Sequence, residues 1–300
     1  MPFSETPPIQ DFLDHLTFQK RYSKHTILSY QNDLTAFFKY ISTQYGDISP
    51  DKVTASIVRT WLASLKQYEL SSRSINRKIS ALKSFFKYQL RSQKIRFSPM
   101  TAIVSLKISK RLPSFIEQKE LETLFRHVEF PATWEGKTNR LLLSIFYQSG
   151  IRLTELINLK VSQVDKSNRT IKVLGKGNKE RLIPVNKELM EELLQYISSK
   201  KDELENFDGQ YILVNGKGKK LYPKYVYTVV KRYLGEVTTN ERKSPHILRH
   251  SFATHLTNNG ADINAVKELL GHSSLAATQI YTHNTIEKLK EIHKRAHPKS

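Results

Sequence analysis

The spacing of apolar residues across the first hundred positions constrains this chain most. Ile9, Phe12, Leu13 and Leu16 recur at intervals of three and four, and so do Ile27, Tyr30, Leu34, Phe37, Phe38 and Ile41. That period places each set on one face of an α-helix. Ser23 or Thr26 can cap the second helix, which Gly46 and Pro50 follow. Ile57, Val58, Trp61, Leu62 and Leu65 mark a third helix. A fourth begins at Ser71 or Ser72 and carries Ile75, Ile79, Leu82, Phe86 and Leu90. The pattern predicts a four-helix domain over residues 1–106.

A chain of 300 residues exceeds the usual single-domain size, so a second domain is expected. Ser98-Pro99 ends the helical pattern, and the short basic run at 107–113 (KISKRLP) reads as a linker into a domain over 114–300. There, helical patterns at Glu117–His127 and Arg140–Gln148 are broken by Ser149-Gly150-Ile151-Arg152, and a further helix starts at Leu153. Thr170–Leu174 and Arg181–Val185 alternate around Gly175–Lys179, as in a β-hairpin with a lysine at its tip. Helices follow at Lys187–Ser199 and Pro223–Leu234, with a short strand at Tyr211–Val214 between them and a last amphipathic helix at Thr285–Ala296. The fold class expected is mainly α, with a small β-hairpin in the second domain.

Charge narrows the partner. The net charge is +20, from 48 Lys and Arg against 28 Asp and Glu, which favours a polyanion. Between Leu70 and Leu112 there is no acidic residue, while Arg73, Arg77, Lys78, Lys83, Lys87, Lys110 and Arg111 all fall there. A basic helix face without acids is a candidate DNA contact, and a basic linker suits a protein that closes around a duplex. Cysteine is absent, which removes disulfides, thiol nucleophiles and Cys-based metal sites and fits a reducing cytoplasm. The N-terminus has no signal-peptide pattern, and no apolar run approaches a membrane span.

Ser244–His283 holds five histidines, Arg249 and Tyr281. His246 and His250 have the spacing of zinc-binding helices, but no Glu stands between them as in HExxH, and the only acids from His246 to Tyr281 are Asp262 and Glu268. No metal is therefore expected. Gly175–Lys179 lacks the spacing of a nucleotide-binding loop, so no cofactor is expected either. Arg152 after its glycine turn, Lys176 on the hairpin, His246, Arg249 and His272 could together surround one phosphodiester, since arginine forks suit non-bridging oxygens. Tyr281 would be the nucleophile; a free phenol has a pKa of about 10 and needs such neighbours. His250, His255 and His283 read as structural.

In order along the chain, Gly150-Ile-Arg152-Leu-Thr-Glu155-Leu, Gly175-Lys176-Gly-Asn-Lys, His246-Ile-Leu-Arg249-His250, Leu270-Gly271-His272 and Tyr281-Thr-His resemble the tyrosine recombinase (phage integrase) family, above all its bacterial Xer-type members. The resemblance spans nearly the whole chain and implies a SAM-like core-binding domain before the catalytic domain. It implies that Arg152 and Arg249 hold the scissile phosphate, and that Lys176 protonates the leaving 5′ oxygen. By the same likeness, His246 serves Tyr281 as general acid/base, His272 adds a phosphate hydrogen bond, and Glu155 is a structural partner. It further implies a 3′-phosphotyrosyl intermediate, no metal or ATP, and four protomers on two double-stranded DNA sites. A second Xer-type recombinase and a septal DNA translocase would be partners, and Thr285–Ala296 would dock on a neighbouring protomer. Chromosome dimer resolution at cell division is the role expected, in the cytoplasm at the nucleoid. The alternatives are a mobile-element integrase, a type IB topoisomerase and a non-catalytic DNA-binding regulator.

Overall fold

The computed structural model describes residues 7–108, 114–175, 180–271 and 296. The chain divides into two compact units, Met1–Arg111 and Leu112–Ser300.

The first unit is helical. Helix α1 (Pro7–Asp14) runs on through a wider helical turn at His15–Gln19, and α2 (Lys24–Tyr45), α3 (Ala55–Gln67) and α4 (Ser72–Arg91) follow. Ser23, Thr54 and Ser71 cap the last three helices, each side chain accepting from a backbone N–H three residues on. These bonds satisfy donors that a helix start leaves free. α4 packs against α1, α2 and α3. The core joins Phe12, Leu34, Phe37, Ile41, Trp61, Ile79, Phe85 and Phe86. Its rings meet edge to face, Phe37 with Trp61 at 4.9 Å and Phe12 with Phe85 at 5.6 Å between centroids.

The second unit is built around α6 (Trp134–Ser149), which is buried on nearly every side. α5 (Gln118–Arg126) precedes it. α7 (Leu153–Ile157), α8 (Lys187–Glu203), α9 (Pro223–Val237) and α10 (Pro245–Asn258) all pack on it. α11 (Ile263–Leu270) packs on α10. In the first turn and a half of α6 the buried positions after Trp134 are Gly136, Thr138 and Asn139, small or polar residues that give no apolar stripe, so the periodicity predicts the helix only from Arg140. Thr138, Asn139, Ser144 and Gln148 are polar yet buried in it. Gly136 is required at its start, because a Cβ there would lie 2.0 Å from the carbonyl oxygen of Pro131.

The sheet is antiparallel in the order β1 (Val164–Asp165), β2 (Thr170–Leu174), β3 (Glu180–Pro184), and β2 pairs with β3 from Thr170↔Pro184 to Leu174↔Glu180. The hairpin is as expected, and the two-residue β1 is an addition. Tyr211–Val214 is not a ladder strand: Tyr211 and Val214 make single bridges to Lys160 and Lys220, and Ile212, Leu213 and Val214 are all buried in succession. Consecutive burial leaves no alternation to set a register. No helix among the described residues is long and apolar enough to cross a membrane.

Candidate functional site

The C-terminal end of α11 supplies the organising geometry. A helix leaves its last carbonyls unpaired and carries partial negative charge there. Here three successive carbonyls each accept from a different arginine. Leu269 O takes Arg181 Nε at 3.1 Å, Leu270 O takes Arg249 Nη2 at 2.6 Å, and Gly271 O takes Arg152 Nη2 at 2.7 Å. Gly271 ends the helix in the left-handed region, at φ +64°. The chain thus enters the stretch bearing His272 and Tyr281 from a point fixed by three guanidinium groups.

Each arginine reaches this point from a different element. Gly150 closes α6 at φ +58°, donating to Phe146 O, and its own carbonyl accepts from Arg249 Nη1. Arg152 then stands immediately before α7. Arg249 lies on the inner face of α10, whose first residue is Pro245, and it is buried. Arg181 lies on β3 in phase with the buried Ile183.

Glu155 balances these charges. Its Oε1 accepts from Arg152 Nη1 at 2.8 Å and Arg181 Nη1 at 2.7 Å, and its Oε2 from the Arg152 backbone N–H at 2.9 Å and Arg181 Nη2 at 2.8 Å. Burial alone would raise its pKa. The hydrogen bonds and charge of Arg181, and then the hydrogen bonds from Arg152, hold it down to about 2. Burial pushes the pKa of Arg249 down, and the charges of Arg152 and Arg181 add to this, while Glu155 opposes it. Arginine stays protonated at neutral pH, so three guanidinium charges face one carboxylate here. The surplus suits an anion such as a phosphodiester.

The structure therefore brings Arg152 and Arg249 together, with Glu155 between Arg152 and Arg181. His246 is exposed in the first turn of α10. Lys176, His272 and Tyr281 lie outside the described residues, as do Lys110 and Arg111. His250 is exposed, and His283 lies outside the described residues. His255 is a core residue: its Nδ1 lies 3.2 Å from the Tyr147 hydroxyl, its ring meets Phe115 edge to face, and burial lowers its pKa. Among the described residues no group of three or more His, Asp or Glu gathers to hold a metal ion.

Sequence reasoning did not single out Arg181. A charged side chain on the inward phase of an alternating strand needs a buried partner, and that signal was available in Arg181-Leu182-Ile183.

The basic face of α4 is not free of acids. Asp33, buried on α2, accepts from Arg77 Nη1 at 2.6 Å and Lys78 Nζ at 2.9 Å. Lys78 also lies over the Trp61 ring, 5.8 Å from its centroid, with its side chain only 12% exposed. An acid absent from the local sequence arrives from another helix. Arg77 stays half-exposed, and Arg73, Lys83 and Lys87 are exposed.

The model of the phage integrase family matches residues 114–288, and that of the phage integrase N-terminal SAM-like domain matches residues 9–93. Proteins named tyrosine recombinase XerC are similar along nearly the whole chain. That of Chlorobaculum parvum is 36% identical, covering 97% of this chain and 94% of its own. That of Oceanobacillus iheyensis is 38% identical, covering 97% and 96%. Among solved structures, XerH site-specific recombinase bound to a palindromic difH substrate in a post-cleavage complex superposes with a TM-score of 0.69 at 25% identity, covering 94% of this chain and 83% of that one. The Tn1549 transposon integrase in complex with circular intermediate DNA shares the fold, with a TM-score of 0.72 at 21% identity, covering 94% and 98%.

Proposed function

Since this chain belongs to the phage integrase family and is a Xer-type site-specific tyrosine recombinase, an enzyme of DNA cleavage and rejoining, we propose that the arginine cluster at the end of α11 is where the scissile phosphate binds. The observation that carries this reading is the convergence of Arg152 and Arg249 on adjacent carbonyls, Gly271 O and Leu270 O, beside the Glu155 carboxylate that Arg152 shares with Arg181.

In this reading Arg152 and Arg249 donate to the two non-bridging oxygens, whose charge grows in the transition state. Tyr281 attacks the phosphorus, His246 takes its proton, and the bond to the 5′ oxygen breaks. Lys176 gives the leaving oxygen its proton, and His272 donates to the phosphate. A phosphodiester is exchanged for a 3′-phosphotyrosyl ester, so the bond energy is kept, and the 5′ hydroxyl of a partner strand reverses the step. No nucleotide is consumed in that balance.

The substrate is double-stranded DNA, as bound by the XerH and transposon integrase structures. Residues 107–113 link the two domains. Arg73, Lys83 and Lys87, with Arg77, Lys110 and Arg111, contact phosphates, while Lys78 serves the fold. Four protomers assemble on two sites, with or without a second Xer-type recombinase and a septal DNA translocase, in the cytoplasm at the nucleoid. Thr285–Ala296 docks on a neighbour in that assembly. Of this segment only Ala296 is described; it is buried, and its carbonyl accepts from Asn259 Nδ2 of the same chain. Docking would release that contact.

The role proposed is chromosome dimer resolution. Sequencing the DNA bound by the protein in cells tests it. A single chromosomal site supports it, and binding confined to the ends of a mobile element would assign the same chemistry to an integrase.

A further inference from the structure

Arg181 has no place in the chemistry above, yet it is more deeply enclosed than either proposed phosphate-binding arginine. Its side chain is 5% exposed, against 28% for Arg152. It uses three donor positions: Nη1 and Nη2 on the two oxygens of Glu155, and Nε on Leu269 O. Gly271 sits so close that a Cβ there would lie 3.1 Å from Arg181 Cδ. One guanidinium thus ties β3, the second strand of the β2–β3 hairpin, to α7 and to the end of α11.

We propose that Arg181 is a positioning residue for the cleavage step, occupying both oxygens of Glu155 so that this carboxylate does not offset the charge of Arg152 or turn its fork away from the phosphate. The inference rests on the reading that Arg152 binds the scissile phosphate. Charge and geometry carry it. A carboxylate buried beside Arg152 alone would draw that guanidinium into a two-pronged pair and cancel its charge. With Arg181 holding both carboxylate oxygens end-on through Nη1 and Nη2, Arg152 gives Glu155 one side-chain bond from Nη1 and directs Nη2 to Gly271 O. Arg181 neutralises the acid, and Arg152 with Arg249 is left to face the substrate. A lysine at 181 keeps the charge but cannot span two carboxylate oxygens and a carbonyl.

The test is single-turnover formation of the covalent adduct by the full-length protein on a nicked suicide duplex. One substrate carries the ordinary scissile phosphodiester and the other an uncharged methylphosphonate there. Arg181→Lys is expected to lose about 100-fold on the phosphodiester, the scale of a misaligned reacting group, with DNA affinity unchanged. The loss should shrink on the methylphosphonate, where the charge of Arg152 matters less. A merely structural defect would slow both substrates equally, and that result, or a wild-type rate on DNA, overturns the proposal. Because Arg181→Met strands a buried carboxylate, it is paired with Glu155→Gln. The double variant should recover at least tenfold of the rate lost in Arg181→Met alone, and no recovery would also overturn the proposal. Arg152→Ala on the same DNA separates the two readings. If it cuts normally, the phosphate-site assignment fails; if it is inactive while Arg181→Lys is not, only the role of Arg181 fails.

Discussion

Arg249 donates to the carbonyl oxygen of Leu270 at 2.6 Å, joining the inner face of α10 to the last residue of α11 across 21 positions. Its other end donates to Gly150 O, at the close of α6. One buried guanidinium therefore sets the spacing of two helix ends against the inner face of α10, and a phosphate docking there would meet groups already in place.

Arg152→Ala and Arg249→Ala should each reduce cleavage by at least about 100-fold, the usual effect of removing one donor to a developing oxyanion. DNA affinity in a gel-shift assay should stay within about tenfold of wild type. Arg249→Ala should also lower the melting temperature, because Gly150 O and Leu270 O lose their donor. Loss of binding in step with loss of cleavage would contradict the assignment.

Gly150→Ala should destabilise the second unit. The backbone there is left-handed at φ +58°, and a Cβ would lie 2.5 Å from Phe252 Cδ1 and 2.8 Å from Leu270 Cδ2. Crowding of this kind costs about 1–3 kcal/mol, measurable as a shift in the denaturant midpoint. The Leu270 contact ties the change to the arginine cluster, so cleavage should fall as well.

Glu155 gives the site a pH signature. Its pKa is held near 2 in the folded chain, against 4.5 ordinarily. A carboxyl with a depressed folded pKa contributes stability that is present above its unfolded value and lost as pH falls through the folded one. The stability advantage of wild type over Glu155→Gln should therefore be constant above about pH 4.5 and shrink between 4.5 and 2. A difference that does not change over that window would count against the ion pairing described.

On α4, binding and folding should separate. Alanine at Arg73, Lys83 or Lys87 should weaken DNA binding and reduce the salt dependence by about one phosphate contact each, with little effect on stability. Asp33→Ala should instead destabilise the first unit by about 3–5 kcal/mol, since it strands Lys78 beside Trp61. Salt slopes from fluorescence anisotropy and urea midpoints distinguish the two outcomes.

Much of this was legible in the sequence where a period or a local signal carried it. The stripes of α2 and α4 announced their helices, Ser23 and Ser71 their starts, and Gly150 its turn. What could not be read was pairing over distance. Asp33 reaches Arg77 and Lys78 from more than 40 positions away, and Arg181 reaches Glu155 across 26. No periodicity names the partner in such contacts: the inward phase of Arg181 calls for a buried partner without pointing to Glu155, and an acid-free segment looks unpaired. The start of α6 is silent for a different reason, since it buries Gly136, Thr138 and Asn139 in place of an apolar stripe. The roles given to Lys176, His272 and Tyr281 came from the order of motifs.

The most direct measurement is the mapping of the covalent adduct. The purified protein, incubated with a nicked duplex carrying its recombination site, is digested and the DNA-linked peptide is sequenced by mass spectrometry. The expected result is a single phosphotyrosyl linkage at Tyr281, on the 3′ side of the cleaved strand, that disappears in Tyr281→Phe. A linkage at another residue, or an adduct that persists in Tyr281→Phe, would contradict the assignment of the nucleophile.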